Sequence, residues 1–187
     1  MFLGVALLCA TTFVYAQKIA IKTNVLADIT TTINLAAEFG LQKKYTVDLN
    51  MNYNPWNFKD NKKIKHILVQ PELRYWFCER FSGHFIGIHA HGGSFNIGGI
   101  TMPLGIGKGL KLKDYRYEGN FYGGGISYGY QWVLSDHWNL EGNIGAGYAR
   151  VKYDKYKCKN CGRLVEKGRN YNYWGVTKAA ISLTYLF

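Results

Sequence analysis

The stretch Val176–Phe187 reads VTKAAISLTYLF, and it restricts the fold more than any other part of the chain. Taken two residues at a time from the end, Phe187, Tyr185, Leu183, Ile181, Ala179 and Thr177 make a face that is apolar nearly throughout. Leu186, Thr184, Ser182, Ala180 and Lys178 make the other face, which is small, hydroxylic and charged once. A period of two puts successive side chains on opposite faces of a β-strand, so this strand separates two unlike environments. Lipid outside and a polar lumen inside would produce the pattern; so would the edge strand of a soluble sandwich.

Seven further segments alternate in the same way: Lys18–Leu26, Ile33–Leu41, Tyr45–Asn54, His66–Phe77, His84–Gly93, Asn120–Leu134 and Trp138–Tyr153. Tyr45–Asn54 is the cleanest, with Tyr45, Val47, Leu49, Met51 and Tyr53 against Thr46, Asp48, Asn50, Asn52 and Asn54. Pro71 is a blemish in its strand, because it cannot donate a ladder hydrogen bond. The connections decide between the two readings. Those at 42–44, 78–83 and 135–137 are short, whereas 55–65, 94–119 and 154–174 are long and read as loops. Short–long alternation over an even number of antiparallel strands is the pattern of outer-membrane barrels, with short periplasmic turns and long outer loops. A sandwich has no reason to adopt it. The expectation is an all-β chain forming an eight-stranded antiparallel up-and-down transmembrane β-barrel, monomeric and closed by its first and last strands.

Composition agrees, with 15 Tyr, 22 Gly and only 3 Pro; interfacial rings and close inner packing both suit such strands. Phe2–Tyr15 is an uncharged apolar run, and Val14-Tyr15-Ala16 resembles a cleavage site. Residues 1–16 therefore read as a secretory signal peptide and residues 17–187 as the barrel domain. Beyond the leader no apolar run is long enough for a membrane helix. Cys9 lacks the small preceding residue of a lipoprotein signal, since Leu7 and Leu8 come before it.

The net charge of +11 is concentrated. Residues 59–65 carry +3, 108–118 carry +2 and 150–169 carry +6, so the rest of the chain balances. The topology puts these clusters, including the patch Lys155, Lys157, Lys159 and Lys167, at the outer end. Lysine and arginine pair well with phosphate, so the expected partners are outer-membrane lipid and lipopolysaccharide or an acidic surface polymer; an ordinary solvated rim is the alternative. Nucleic acid does not suit a cell-surface site. On the inner face lie Lys22, Arg74 and Lys178 with Glu38, Asp48, Glu72 and Glu141. Unpaired ions in a narrow lumen are costly, so these seven predict an internal salt-bridge network that plugs the barrel.

Local chemical motifs are few. Cys158-Lys159-Asn160-Cys161-Gly162 resembles half a zinc knuckle without a second pair of ligands; a loop disulfide between Cys158 and Cys161 is preferred, with free thiols or an interchain link as alternatives. His89 and His91 share one strand face near Ser94, which raises a lipid-modifying enzyme using His, an acid and Ser. No acidic residue lies close in sequence to orient them, and Ser94 has the opposite parity. Inward polar filler is the preferred role, so no catalytic residue, cofactor or metal is expected. Gly98-Gly99 and Gly123-Gly124-Gly125 lack the βαβ context of a phosphate loop. A narrow channel is the other rival.

Several stretches resemble one family: Lys22–Leu26, Tyr53–Trp56, Gln70–Cys78 (QPELRYWFC), Gly124–Trp132 (GGISYGYQW), and Tyr156–Cys158 through Cys161-Gly162. They are similar to the domain of unknown function 3575 family (DUF3575), secreted proteins of Gram-negative anaerobes. The resemblance implies an outer-membrane barrel of unassigned activity, accessory to fimbrial assembly or anchoring. It brings no catalytic residues, and Pro71 lies inside the family's own pattern. A further expectation is that Tyr185 and Phe187 end the strand read by the outer-membrane assembly machinery.

Overall fold

The computed structural model describes residues 19–57, 63–99, 112, 114–157 and 162–187. Eight antiparallel strands follow one another around a closed ring: β1 (Ile19–Asn24), β2 (Ile33–Gln42), β3 (Tyr45–Asn54), β4 (Lys63–Trp76), β5 (Gly83–Gly98), β6 (Arg116–Val133), β7 (Trp138–Tyr156) and β8 (Leu164–Leu186). Each strand pairs with its sequence neighbours, and β1 closes on β8 in the register Ile21↔Tyr185 and Thr23↔Leu183. A further backbone bond runs from the Phe187 N–H to the Ile19 carbonyl at 2.9 Å. The expected closure by first and last strands is therefore present. One helical turn, α1 (Val25–Ile29), follows β1; the Asn24 side chain accepts from the Leu26 N–H at 3.1 Å and caps it.

The turns at one end are tight. Gln42 pairs with Tyr45, with a bulge between Gly40 and Gln42. At the β4–β5 turn Phe81 has φ 64°, a conformation that costs a bulky residue about 1–3 kcal/mol unless its surroundings hold it. Burial holds it here. Phe81 is tucked under the ring against Ala20 and Leu186, and the Asn139 side chain donates to its carbonyl at 2.9 Å.

At the other end the strands run further than the sequence suggested. The segments 94–119 and 154–174 were expected as loops, but β5 continues to Gly98, β6 starts at Arg116, β7 reaches Tyr156 and β8 starts at Leu164. Conversely, the first strand stops at Asn24, because Val25 and Leu26 enter the capped turn of α1. The ring thus has a short-turn end and a tall end, where β4–β8 stand above β1–β3.

The extension explains itself when its alternation is read with the opposite polarity. Around the lower ring the outward residues are apolar and exposed, such as Ile126 at 68%, Ile88 at 61% and Leu35 at 59%. The inward ones are polar and buried, such as Gln70, Asn139 and Thr184. Above that ring the same parity gives polar residues outward (Asn120, Arg150, Lys152) and apolar ones inward (Tyr117, Phe121, Ala149). Tyr117 is 2% exposed. A strand flanked by water on its outer side hides its rings inside, so the segments are strands of inverted polarity.

Candidate functional site

The interior is layered along the ring axis. Its floor at the short-turn end is apolar: Phe81 packs on Ala20 and Leu186, and Trp76 meets Phe81 and Phe85 at ring separations of 6.1 and 4.7 Å. The Trp76 indole N–H donates to Thr46 Oγ1 at 2.9 Å.

Above the floor the structure brings together all seven inward charges singled out in the sequence. Arg74 is the hub. Its guanidinium reaches Glu38 at 2.8 Å, Glu141 at 2.9 Å, Glu72 at 3.1 Å and Asp48 at 3.3 Å. Its other side stacks on Phe85, 4.4 Å from the ring centroid. Lys22 bridges Glu141 at 2.6 Å and Asp48 at 3.5 Å and contacts Glu38. Lys178 contacts Glu72 and lies 3.4 Å from Asp48. All seven side chains are at most 5% exposed. The register accounts for the convergence: Glu38 pairs with Asp48, Asp48 with Glu72, and Thr46 with Arg74, so neighbouring strands deliver their charges to one level.

Three cations face four carboxylates in this layer. Neutral donors oppose the excess negative charge, with Thr46 donating its hydroxyl to Glu38 and Ser127 donating to Glu72. Gly87 makes the room: a methyl group there would overlap the Glu72 carboxylate and the Ser127 hydroxyl. Thr46, Ser127, Gly87 and Phe85 were missed in the sequence. Their only signal was inward parity, which small polar filler shares. Each charge of this buried layer has an opposite charge within 3.5 Å, and removal of one member leaves others uncompensated in low dielectric.

Next along the axis comes a histidine pair. His89 Nε2 lies 2.9 Å from Thr177 Oγ1, and the His89 and His91 rings are 5.7 Å apart. The Nδ1 atoms of both are buried and have no hydrogen-bond partner among the described residues. Ser94 lies on the outer face and is exposed, so the constellation that a Ser-based enzyme needs is not assembled around it. No group of three or more His, Cys, Asp or Glu poised for a metal occurs among the described residues.

The outermost part of the interior is an apolar chamber of about 450 Å³ walled by β4–β8. It was not read in the sequence: part of its lining, including Phe95, Tyr117, Tyr171 and Tyr173, sits in segments taken as loops, and the rest lies on strands whose inward face was read as polar.

The remaining sequence-derived residues fall at the two ends. Cys78 is a free, exposed thiol at the short-turn end. Cys158 and Cys161, with the expected loop disulfide, lie outside the described residues, as do Lys159 and residues 1–16, where a leader was expected. Lys155 belongs to a strand rather than a loop patch: it pairs with Glu166 at 3.2 Å and sits 4.3 Å from the Tyr115 ring centroid. The hydrogen bond raises the Lys155 pKa and holds the Glu166 carboxyl below its ordinary range. Lys157 and Lys167 are exposed. Tyr185 and Phe187 stack edge-on at 4.9 Å, and Tyr185 also meets Trp138 at 5.0 Å.

No curated protein and no solved structure matches the chain significantly. A family model described as "Protein of unknown function (DUF3575)" matches residues 2–187, nearly the whole chain, and the chain belongs to that family.

Proposed function

We propose that the chain is a monomeric outer-membrane β-barrel with a plugged lumen, a scaffold that presents its tall basic end to anionic components of the cell surface. The observation that carries this reading is the outward apolar belt and the aromatic rows that bound it. Tyr45, Tyr75, Tyr130, Trp132, Trp138 and Tyr185 edge it at the short-turn end; Tyr53, Tyr122, Tyr148 and Trp174 edge it at the tall end. Eight residues separate Tyr122 from Tyr130 and eleven separate Trp174 from Tyr185. At ~3.3 Å per residue and a tilt of about 40°, the belt is roughly 20–28 Å tall. That matches the hydrocarbon layer of an outer membrane, whose interfaces favour Tyr and Trp. A helical route across a bilayer has no support, since no helix among the described residues is long and apolar enough to cross.

Arg150, the cross-strand partner of Tyr122, and Lys152, paired with Asn120 one step further up, face outward and are exposed, at the level where lipid phosphates would lie. This supports lipopolysaccharide as a partner. The ion-pair layer supports a scaffold over a channel, because its side chains close the lumen to water. The β8 end, with Tyr185 and Phe187, is the part we assign to the assembly machinery; attachment of fimbrial components at the basic end is the corresponding proposal for a macromolecular partner.

Fractionation combined with a membrane-impermeant amine label on intact cells tests the reading. Recovery in the outer membrane with Lys157 and Lys167 labelled is the expected result, and a soluble periplasmic protein overturns the architecture. Replacing Arg150 and Lys152 together by Gln should lower retention of lipopolysaccharide during purification. Unchanged retention removes lipopolysaccharide from the proposal.

A further inference from the structure

His89 and His91 lie between the ion-pair layer and the chamber, and each keeps a polar atom that neither layer uses. The two residues are 5% and 7% exposed, and the Nδ1 atom of each is buried without a hydrogen-bond partner among the described residues. Buried polar atoms are nearly always satisfied, so two such nitrogens on one strand face, two residues apart, call for a shared ligand.

The surroundings are shaped to the two rings. Gly145 of β7 pairs with Lys178 of β8 and Ala146 with Val176, so Thr177 is the extra residue of a β-bulge. A bulge re-aims a side chain. Here it brings the Thr177 hydroxyl within 2.9 Å of His89 Nε2, while Gln70 Nε2 donates to the Thr177 carbonyl at 3.3 Å. With Nε2–H donating to that hydroxyl, the lone pair of His89 sits on Nδ1, and metal-bound histidines commonly make such an outer hydrogen bond. Glycines leave room for both imidazoles: a methyl group at Gly145 would stand 3.0 Å from His89 Cε1, and one at Gly123 would stand 2.9 Å from His91 Nε2.

Separation and charge both fit one bound cation. An imidazole nitrogen ~2.0–2.1 Å from a metal puts its ring centroid about 3.2 Å from it, so two rings on one ion have centroids roughly 5–6 Å apart. The observed separation is 5.7 Å. Glu72, the cross-strand partner of His89, belongs to the layer below, where four carboxylates outnumber three cations. A cation at the histidine level offsets that excess. His91 and Thr177 also line the chamber of about 450 Å³, which gives an ion a route in.

We propose that His89 and His91 bind one d10 transition-metal ion, Zn(II) or Cu(I), through their Nδ1 atoms. Imidazole suits both metals, and a filled d shell imposes no geometry of its own, so solvent from the chamber completes the shell. The inference rests on the interior geometry and not on the membrane reading.

Competition against a chromophoric chelator tests it on the purified full chain, its thiols alkylated and any carried metal removed. Zn(II) and, anaerobically, Cu(I) are the probes. One saturable equivalent is expected with at least one of them, and the tighter of the two names the ion. His89→Gln and His91→Gln should each weaken binding roughly tenfold or more, and Thr177→Val, which keeps both nitrogens, should weaken it less. His84→Gln, at the short-turn end, should leave it unchanged. Far-UV circular dichroism confirms that each variant retains its strands. X-ray absorption of the loaded unmutated chain needs no variant and should show two imidazole nitrogens at ~2.0 Å. The proposal is overturned by the absence of a saturable equivalent of either ion, by undiminished binding in folded His89→Gln or His91→Gln, by an equal loss in His84→Gln, or by a spectrum without imidazole scattering.

Discussion

The lower ring and the tall wall are built from the same strands with opposite polarity. On β6, Ile126 and Tyr128 point out while Ser127 and Gln131 point in; a few residues earlier, Glu118 and Asn120 point out while Tyr117 and Phe121 point in. The backbone ladder does not change across this boundary, since β6 pairs with β7 without a break from Arg116 to Val133. In the membrane setting proposed above, what changes is the solvent outside. A face in water hides its apolar groups, and a face in hydrocarbon displays them, so the reversal along one strand marks the level where we place the membrane boundary.

The largest effect is expected where the lower interior is broken. Arg74→Met leaves four carboxylates with two lysines, and loss of a partner from a buried ion cluster costs roughly 3–5 kcal/mol. The loss should appear as a lower midpoint in denaturant-driven unfolding from lipid bilayers. The polarity boundary itself is tested from outside. Ile126→Lys in the belt should destabilise by about 2–4 kcal/mol in a bilayer, whereas Asn120→Lys on the same strand and face should stay within about 0.5 kcal/mol. Equal small effects would remove the boundary. Lys178→Ala, which leaves Glu72 and Asp48 to Arg74 and Lys22, should cost roughly 1–3 kcal/mol, less than the hub. Truncation before Phe187 removes one closing backbone bond and a ring contact; it should slow assembly into membranes, seen as unfolded chain in pulse-labelled cells, and normal assembly would remove Phe187 from that role.

The smallest effect belongs to the exposed pair on the tall wall. Glu166 is held below its ordinary range by the Lys155 hydrogen bond. Its contribution is therefore present in full above the ordinary carboxylate pKa and is lost as pH falls through the lowered value. The pair lies at the surface, so the change should be a slight loss of amide protection near the β7–β8 tip at acidic pH. In Glu166→Gln, protection at the tip should no longer depend on pH in that window.

Much of this fold was legible because period-two alternation depends on local geometry alone. Tyr45–Asn54 was found with its bounds intact, and the seven inward charges followed from parity once the strands were in register. The tall wall was illegible for a related reason. Phe121, Val151 and Tyr153 alternate as well as any strand, but they were judged against a single assignment of apolar to the outside. Charged neighbours such as Lys155 and Lys157 then made the continuation beyond Tyr153 look like a loop. The α1 turn escaped because its cap, Asn24, also fits the polar face of a strand.

By itself the sequence determined the strand count, the sense of alternation and the set of charges that must lie inside, since each depends on neighbours two residues apart. Only the tertiary structure decided which charges meet, that Arg74 is their hub, and that Phe81 seals the floor. It also decided that five strands rise above the ring to wall a chamber. Those outcomes depend on the register across strands distant in sequence, as when β1 meets β8, and no local pattern encodes that register.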